Sequence, residues 1–98
     1  MIKRILVTAG PTREKIDPVR YISNYSTGIF GYEIASAARK RGLFVTLVSG
    51  PTLLAAPKGV KLVPVESAYD MRIAVLKCIK KSDCVIMTAA VADWSDEY

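Results

Sequence analysis

KRILVTAGPT (Lys3–Thr12) opens the chain as an apolar run broken by a turn, and the architecture follows from it. Lys3–Thr8 is rich in Ile, Leu and Val and reads as a buried strand. Ala9-Gly10-Pro11-Thr12 then ends it. Residues 13–27 read as a long connection containing Asp17-Pro18, and a loop of that length in a small domain is usually functional. Gly28–Arg41 reads as a helix with Phe30, Ile34, Ala37 and Ala38 on one face, an N-cap at Ser26 or Thr27, and a stop at Gly42. FVTLVS (Phe44–Ser49) is a second strand, closed by Gly50-Pro51.

Thr52–Gly59 reads as a loop with a helical turn at Leu53–Ala56, and Val60–Val65 as a third strand. Ser67 then starts a helix, with Asp70 in capping-box position and Met71, Ala74, Val75, Cys78 and Ile79 on the apolar face. Cys84–Thr88 is a fourth strand, followed by Ala89-Ala90-Val91-Ala92-Asp93. Apolar strands alternating with helices predict an α/β, Rossmann-like three-layer parallel sheet with helices on both faces, here a partial domain. The expected strand order is 3-2-1-4. Ligands in such sheets bind beyond the carboxyl ends of the strands, at the switch point. That end gathers Ala9–Thr12, Ser49–Pro51 and Thr88–Asp93 beside the start of the first helix.

The composition bounds the chemistry. The chain has 98 residues, 51% hydrophobic and 23% charged, which fits one small globular domain. No apolar run nears the roughly 18 residues of a membrane span. The apolar run Ile5-Leu6-Val7 is also too short for a signal peptide, so a cytoplasmic protein is expected. With no histidine, neither a Ser-His-Asp triad nor a His-ligated zinc is available from this chain. Cys78 and Cys84 show no metal spacing and read as buried thiols. The net charge of +5 suits an anionic ligand. The cations, however, gather at helix ends (Arg39-Lys40-Arg41; Lys77, Lys80, Lys81), where they complement helix dipoles. Nucleic acid is therefore not expected as a partner, nor is a membrane.

Three segments of the crevice suggest function. Gly10-Pro11-Thr12 offers close backbone approach and a hydroxyl. Ser23–Gly31 places hydroxyls and glycine at a helix start, which suits a phosphate; N-capping alone would also explain it. Thr88–Asp93 places small residues where a flat base can lie and Asp93 where a ribose can be held; tight packing and a capping aspartate explain it equally. The dinucleotide fingerprint is absent: Gly10 and Gly28 are separated by the connection, and Ser49-Gly50-Pro51 stands where an acidic residue is expected.

ILVTAGPTREKIDPVRYISNYSTGIFGYEIA (Ile5–Ala35), TLVSGP (Thr46–Pro51) and AAVADW (Ala89–Trp94) strongly resemble the phosphopantothenoylcysteine synthetase family. The resemblance covers nearly the whole chain. It implies a ligase of coenzyme A biosynthesis that joins 4′-phosphopantothenate to cysteine through an acyl-nucleotide, releasing pyrophosphate. CTP is the expected nucleotide ahead of ATP, with Mg²⁺ accompanying the triphosphate, and a homodimer is expected. By the same resemblance Asn24 is the catalytic asparagine and Arg20 lies near the acyl phosphate. Gly10 and Thr12 form the nucleotide-side loop, and Ser26 and Gly28 the phosphate-binding turn. Ala89 and Asp93 hold base and ribose, Met87 contributes backbone, and Ser49 and Gly50 border the nucleotide. Residues 1–98 then form a single nucleotide-binding domain, truncated relative to the family before its lysine-rich motif. With Met1 directly before the first strand, no flavin domain is expected. The alternatives are an NAD(P)- or flavin-binding Rossmann-like oxidoreductase, and a non-catalytic half that needs a partner chain.

Overall fold

The computed structural model describes residues 2–17, 20–23 and 28–89, with backbone alone for 13–17 and 20–23. Among the described residues, six strands and two α-helices run in the order β1 (Arg4–Ala9), β2 (Arg13–Asp17), β3 (Arg20–Ser23), α1 (Ile29–Lys40), β4 (Phe44–Ser49), β5 (Lys61–Pro64), α2 (Ala68–Cys78) and β6 (Cys84–Met87). A short 3₁₀ turn, Ile79–Lys81, follows α2. The main sheet is parallel with order β5-β4-β1-β6, which is the predicted 3-2-1-4 arrangement. β1 lies at its centre, with Ile5–Ala9 buried throughout, because a parallel strand covered on both faces has no polar side to present.

The alternation of side chains along each strand sorts the core into two layers. Ile5, Val7 and Ala9 of β1 and Val45 and Leu47 of β4 pack with Tyr32, Ala35 and Ala38 of α1. Leu6 and Val48 face the other way, toward Met71 and Ala74 of α2. The helices therefore cover opposite faces. α2 begins with the expected capping box: Ser67 Oγ accepts from Asp70 N at 3.0 Å, and Ser67 N donates to Asp70 Oδ2 at 3.3 Å.

The sequence-based expectations need correcting at six points. Within the long connection, Arg13–Asp17 and Arg20–Ser23 pair as an antiparallel ribbon instead of a loop. The N-cap of α1 is Gly28, not Ser26 or Thr27, which lie outside the described residues. The buried side of α1 is Gly31, Tyr32, Ala35 and Ala38, whereas Phe30 is 69% exposed. Leu53–Ala56 forms no helical turn, and Ile79 is exposed in the 3₁₀ turn instead of lining α2. Cys78 and Cys84 are half-buried free thiols.

At the amino end of the sheet, Asp83 Oδ2 accepts from Lys3 N at 2.8 Å and Arg4 N at 2.9 Å, tying the approach to β6 onto β1. Those two N–H groups, Lys3's first, hold the Asp83 carboxyl below its ordinary value.

Candidate functional site

The carboxyl ends of β1, β4 and β6 meet the start of α1, and glycines make the meeting possible. Gly10 and Gly28 adopt φ values of 80° and 79°, a left-handed conformation that glycine enters without steric cost. A Cβ on Gly28 would sit 3.1 Å from the Gly10 Cα. One on Gly10 would sit 3.3 Å from the Gly50 carbonyl oxygen, and one on Gly50 would overlap the Pro11 carbonyl. Three backbone segments thus converge with no side chains between them. Gly31, in the first turn of α1, is equally constrained: a Cβ there would overlap the Ala9 side chain and approach Thr88 Oγ1 to 2.5 Å.

Hydrogen bonds fix the same corner. Gly50 N donates to the Ala9 carbonyl at 3.0 Å. Tyr32 Oη donates to Ser49 Oγ at 2.8 Å, and Ser49 Oγ donates to the Gly50 carbonyl at 2.8 Å, both bonds being buried. On the other side, Thr88 donates to the Thr8 carbonyl through N at 3.0 Å and through Oγ1 at 2.6 Å. Ala89 N donates to Thr8 Oγ1 at 3.4 Å. Thr8 and Thr12 are fully buried.

Gly10, Thr12, Gly28, Ser49, Gly50, Met87 and Ala89 all lie at this end of the sheet. Gly10 lies in backbone proximity to both Gly28 and Gly50. The Ser49 hydroxyl faces inward to Tyr32, and the Met87 side chain is 70% exposed. The backbone of Arg20 lies in β3. Asn24, Ser26 and Asp93 lie outside the described residues. Tyr32 and Thr8 were not singled out from sequence, and Gly31 only as the end of the Ser23–Gly31 segment. The one available signal was Tyr32 itself, since a tyrosine on a buried helix face needs a partner for its hydroxyl.

Among the described residues, no group of three or more His, Cys, Asp or Glu is placed to hold a metal ion. A second concavity, of about 830 Å³, opens at the amino end of the sheet on the α2 side, with Arg4, Phe44, Lys61, Lys77 and Lys81 in its lining. It lies far from the strand carboxyl ends where ligands bind in this architecture, so the glycine-lined corner carries the functional reading. No helix of the described residues is long and apolar enough to cross a membrane.

Sheet order, helices on both faces and a glycine-lined crevice at the switch point define a Rossmann-like α/β domain. The chain belongs to the family described as the DNA/pantothenate metabolism flavoprotein C-terminal domain, whose model matches residues 1–98. It is 55% identical over 94 residues to the coenzyme A biosynthesis bifunctional protein CoaBC of Bacillus subtilis (strain 168), covering 95% of this chain and 23% of that protein. The crystal structure of the C-terminal domain of a coenzyme A biosynthesis bifunctional protein CoaBC superposes with a TM-score of 0.92 at 56% identity. That match covers 100% of this chain and 50% of the other. The DNA/pantothenate metabolism flavoprotein from Streptococcus pneumoniae follows with a TM-score of 0.85 at 32% identity, over 95% of this chain and 41% of that one. The chain thus spans under a quarter of the length of the curated relative and half of the solved domain. The family resemblance read from Ile5–Ala35 is borne out.

Proposed function

We propose that this chain is the nucleotide-binding portion of a phosphopantothenate–cysteine ligase of coenzyme A biosynthesis. The carrying observation is the family match along all of residues 1–98, together with the bare-backbone corner at the strand carboxyl ends. In the proposed reaction, a carboxylate oxygen of 4′-phosphopantothenate attacks the α-phosphorus of CTP. Pyrophosphate leaves and an acyl-cytidylate forms. The amine of cysteine then attacks the acyl carbon, the amide bond forms, a proton is released and CMP departs. A carboxylate is already a nucleophile at neutral pH, so the protein's contribution is positioning and charge stabilisation, which needs no histidine.

In this reading Gly10, Gly28 and Gly50 let the triphosphate approach backbone, and the start of α1, whose N-cap Gly28 makes no side-chain cap bond, presents N–H groups to phosphate. Thr12 and Ser26 border the same path. Ala89 and the backbone at Met87 flank the base, and Asp93 accepts from the ribose. Arg20 offers a planar fork to phosphate or carboxylate. Asn24 donates its amide to the acyl-nucleotide. Ser49 contributes through the turn it supports. Mg²⁺ travels with the triphosphate, where it neutralises phosphate charge. CTP is favoured over ATP, and the assembly is a cytoplasmic homodimer. Where an oxidoreductase would need an acidic residue after β4, Ser49 is instead tied to Tyr32, and nothing among the described residues favours a nicotinamide.

The test is Asn24→Ala in the complete enzyme. CTP affinity is expected to hold while amide formation slows by about 10²–10³-fold, the usual cost of losing one such donor. Equal turnover in single-turnover kinetics would remove Asn24 from the mechanism.

A further inference from the structure

Ser49 lies on the α1 side of β4 with Val45 and Leu47 and is only 3% exposed. Its hydroxyl has two partners: it accepts from Tyr32 Oη and donates to the Gly50 carbonyl. The Gly50 N–H is held in turn by the Ala9 carbonyl. The Gly50 residue is therefore pinned at both its N–H and its C=O, in contact with Pro11 and beside Gly10. Without the Tyr32 donor the Ser49 hydroxyl is free to rotate, and its hold on the Gly50 carbonyl weakens.

We propose that Tyr32 is a positioning residue of the crevice: acting through Ser49, it sets the Gly50 turn and so the backbone against which the Gly10–Thr12 loop is shaped. This rests on the nucleotide reading of the crevice for its functional consequence, though not for its structural one. It also gives Ser49 a role different from direct ligand contact.

The test uses Tyr32→Phe, which keeps the ring in its packing, Ser49→Ala, and the double variant, in the 98-residue chain. Ala38→Gly, in the last turns of the same helix, serves as a destabilised control. Tyr32→Phe is expected to raise amide exchange at Gly50 and Gly10 in the ligand-free protein. It is also expected to weaken Mg·CTP binding by roughly 3- to 10-fold, the scale of one hydrogen bond. Ser49→Ala should match it, the double variant should add little to either, and Ala38→Gly should leave affinity unchanged. Unaltered exchange at Gly50 and Gly10 in Tyr32→Phe overturns the proposal, as does an equal loss of affinity in Ala38→Gly. If the parent chain binds no triphosphate, the nucleotide reading falls, while the exchange measurement still decides the role of Tyr32.

Discussion

Asp83 shows how much one exposed carboxylate can organise. Its Oδ2 takes two N–H groups at the start of β1, and these hold its pKa below 3.8, the value for an unstructured chain. Because the folded value is the lower one, its stabilising contribution is complete above 3.8 and is lost as the pH falls through the folded value. Asp83→Asn is expected to lower the thermal midpoint by a few degrees at most at neutral pH, since solvent screens the interaction. The difference should vanish in acid well below 3.8. A gap that persists unchanged in acid would assign the effect to packing instead of charge. At the same scale, Tyr32 and Ser49 show a limit of sequence reading. Each looks ordinary alone, and only the fold brings them to 2.8 Å across 17 residues.

Among the elements, the parallel strands were legible because they are continuous apolar runs bounded by Gly and Pro, and α2 because Ser67 and Asp70 spell its cap. α1 was placed correctly and its buried face was read in part: Ala38 is buried and Ile34 packs against the core, whereas Phe30 is exposed. Hydrophobic periodicity favoured Phe30 and Ala37, yet which face is buried depends on how closely the helix meets the sheet. That closeness is set by Gly31 and Ala35, small residues that periodicity undervalues. The β2–β3 ribbon was read as a loop because its strands are short and charged and surround Asp17-Pro18, which is a turn signal without being a strand signal. Gly31 gives an element-scale prediction. In an ordinary helix Gly→Ala stabilises by about 1 kcal/mol. Here the added methyl would meet Ala9 and Thr88, so Gly31→Ala is expected to destabilise by about 1–3 kcal/mol in urea titration, the cost of overpacking. A stabilised variant would show that α1 can lift from the sheet freely.

At the scale of the whole molecule, the two faces of the sheet are covered by different helices, and all the constrained glycines of the crevice lie at one end. Charge alone pointed to an anionic ligand, and among the described residues the corner is built from the backbone of Gly10, Gly28 and Gly50. Of the candidate site residues, the glycines were legible because each marks a place where a strand or helix ends. Asn24 was reached only through family resemblance, whereas Ser26 and Asp93 were also read from the hydroxyls at the helix start and from the small-residue run after the last strand; all three lie outside the described residues. The most direct measurement is calorimetric titration of the chain with Mg·CTP, with Mg·ATP and NADPH as comparators. The account predicts saturable binding of CTP, weaker binding of ATP and none of NADPH; saturable NADPH binding with no heat from either triphosphate would contradict it.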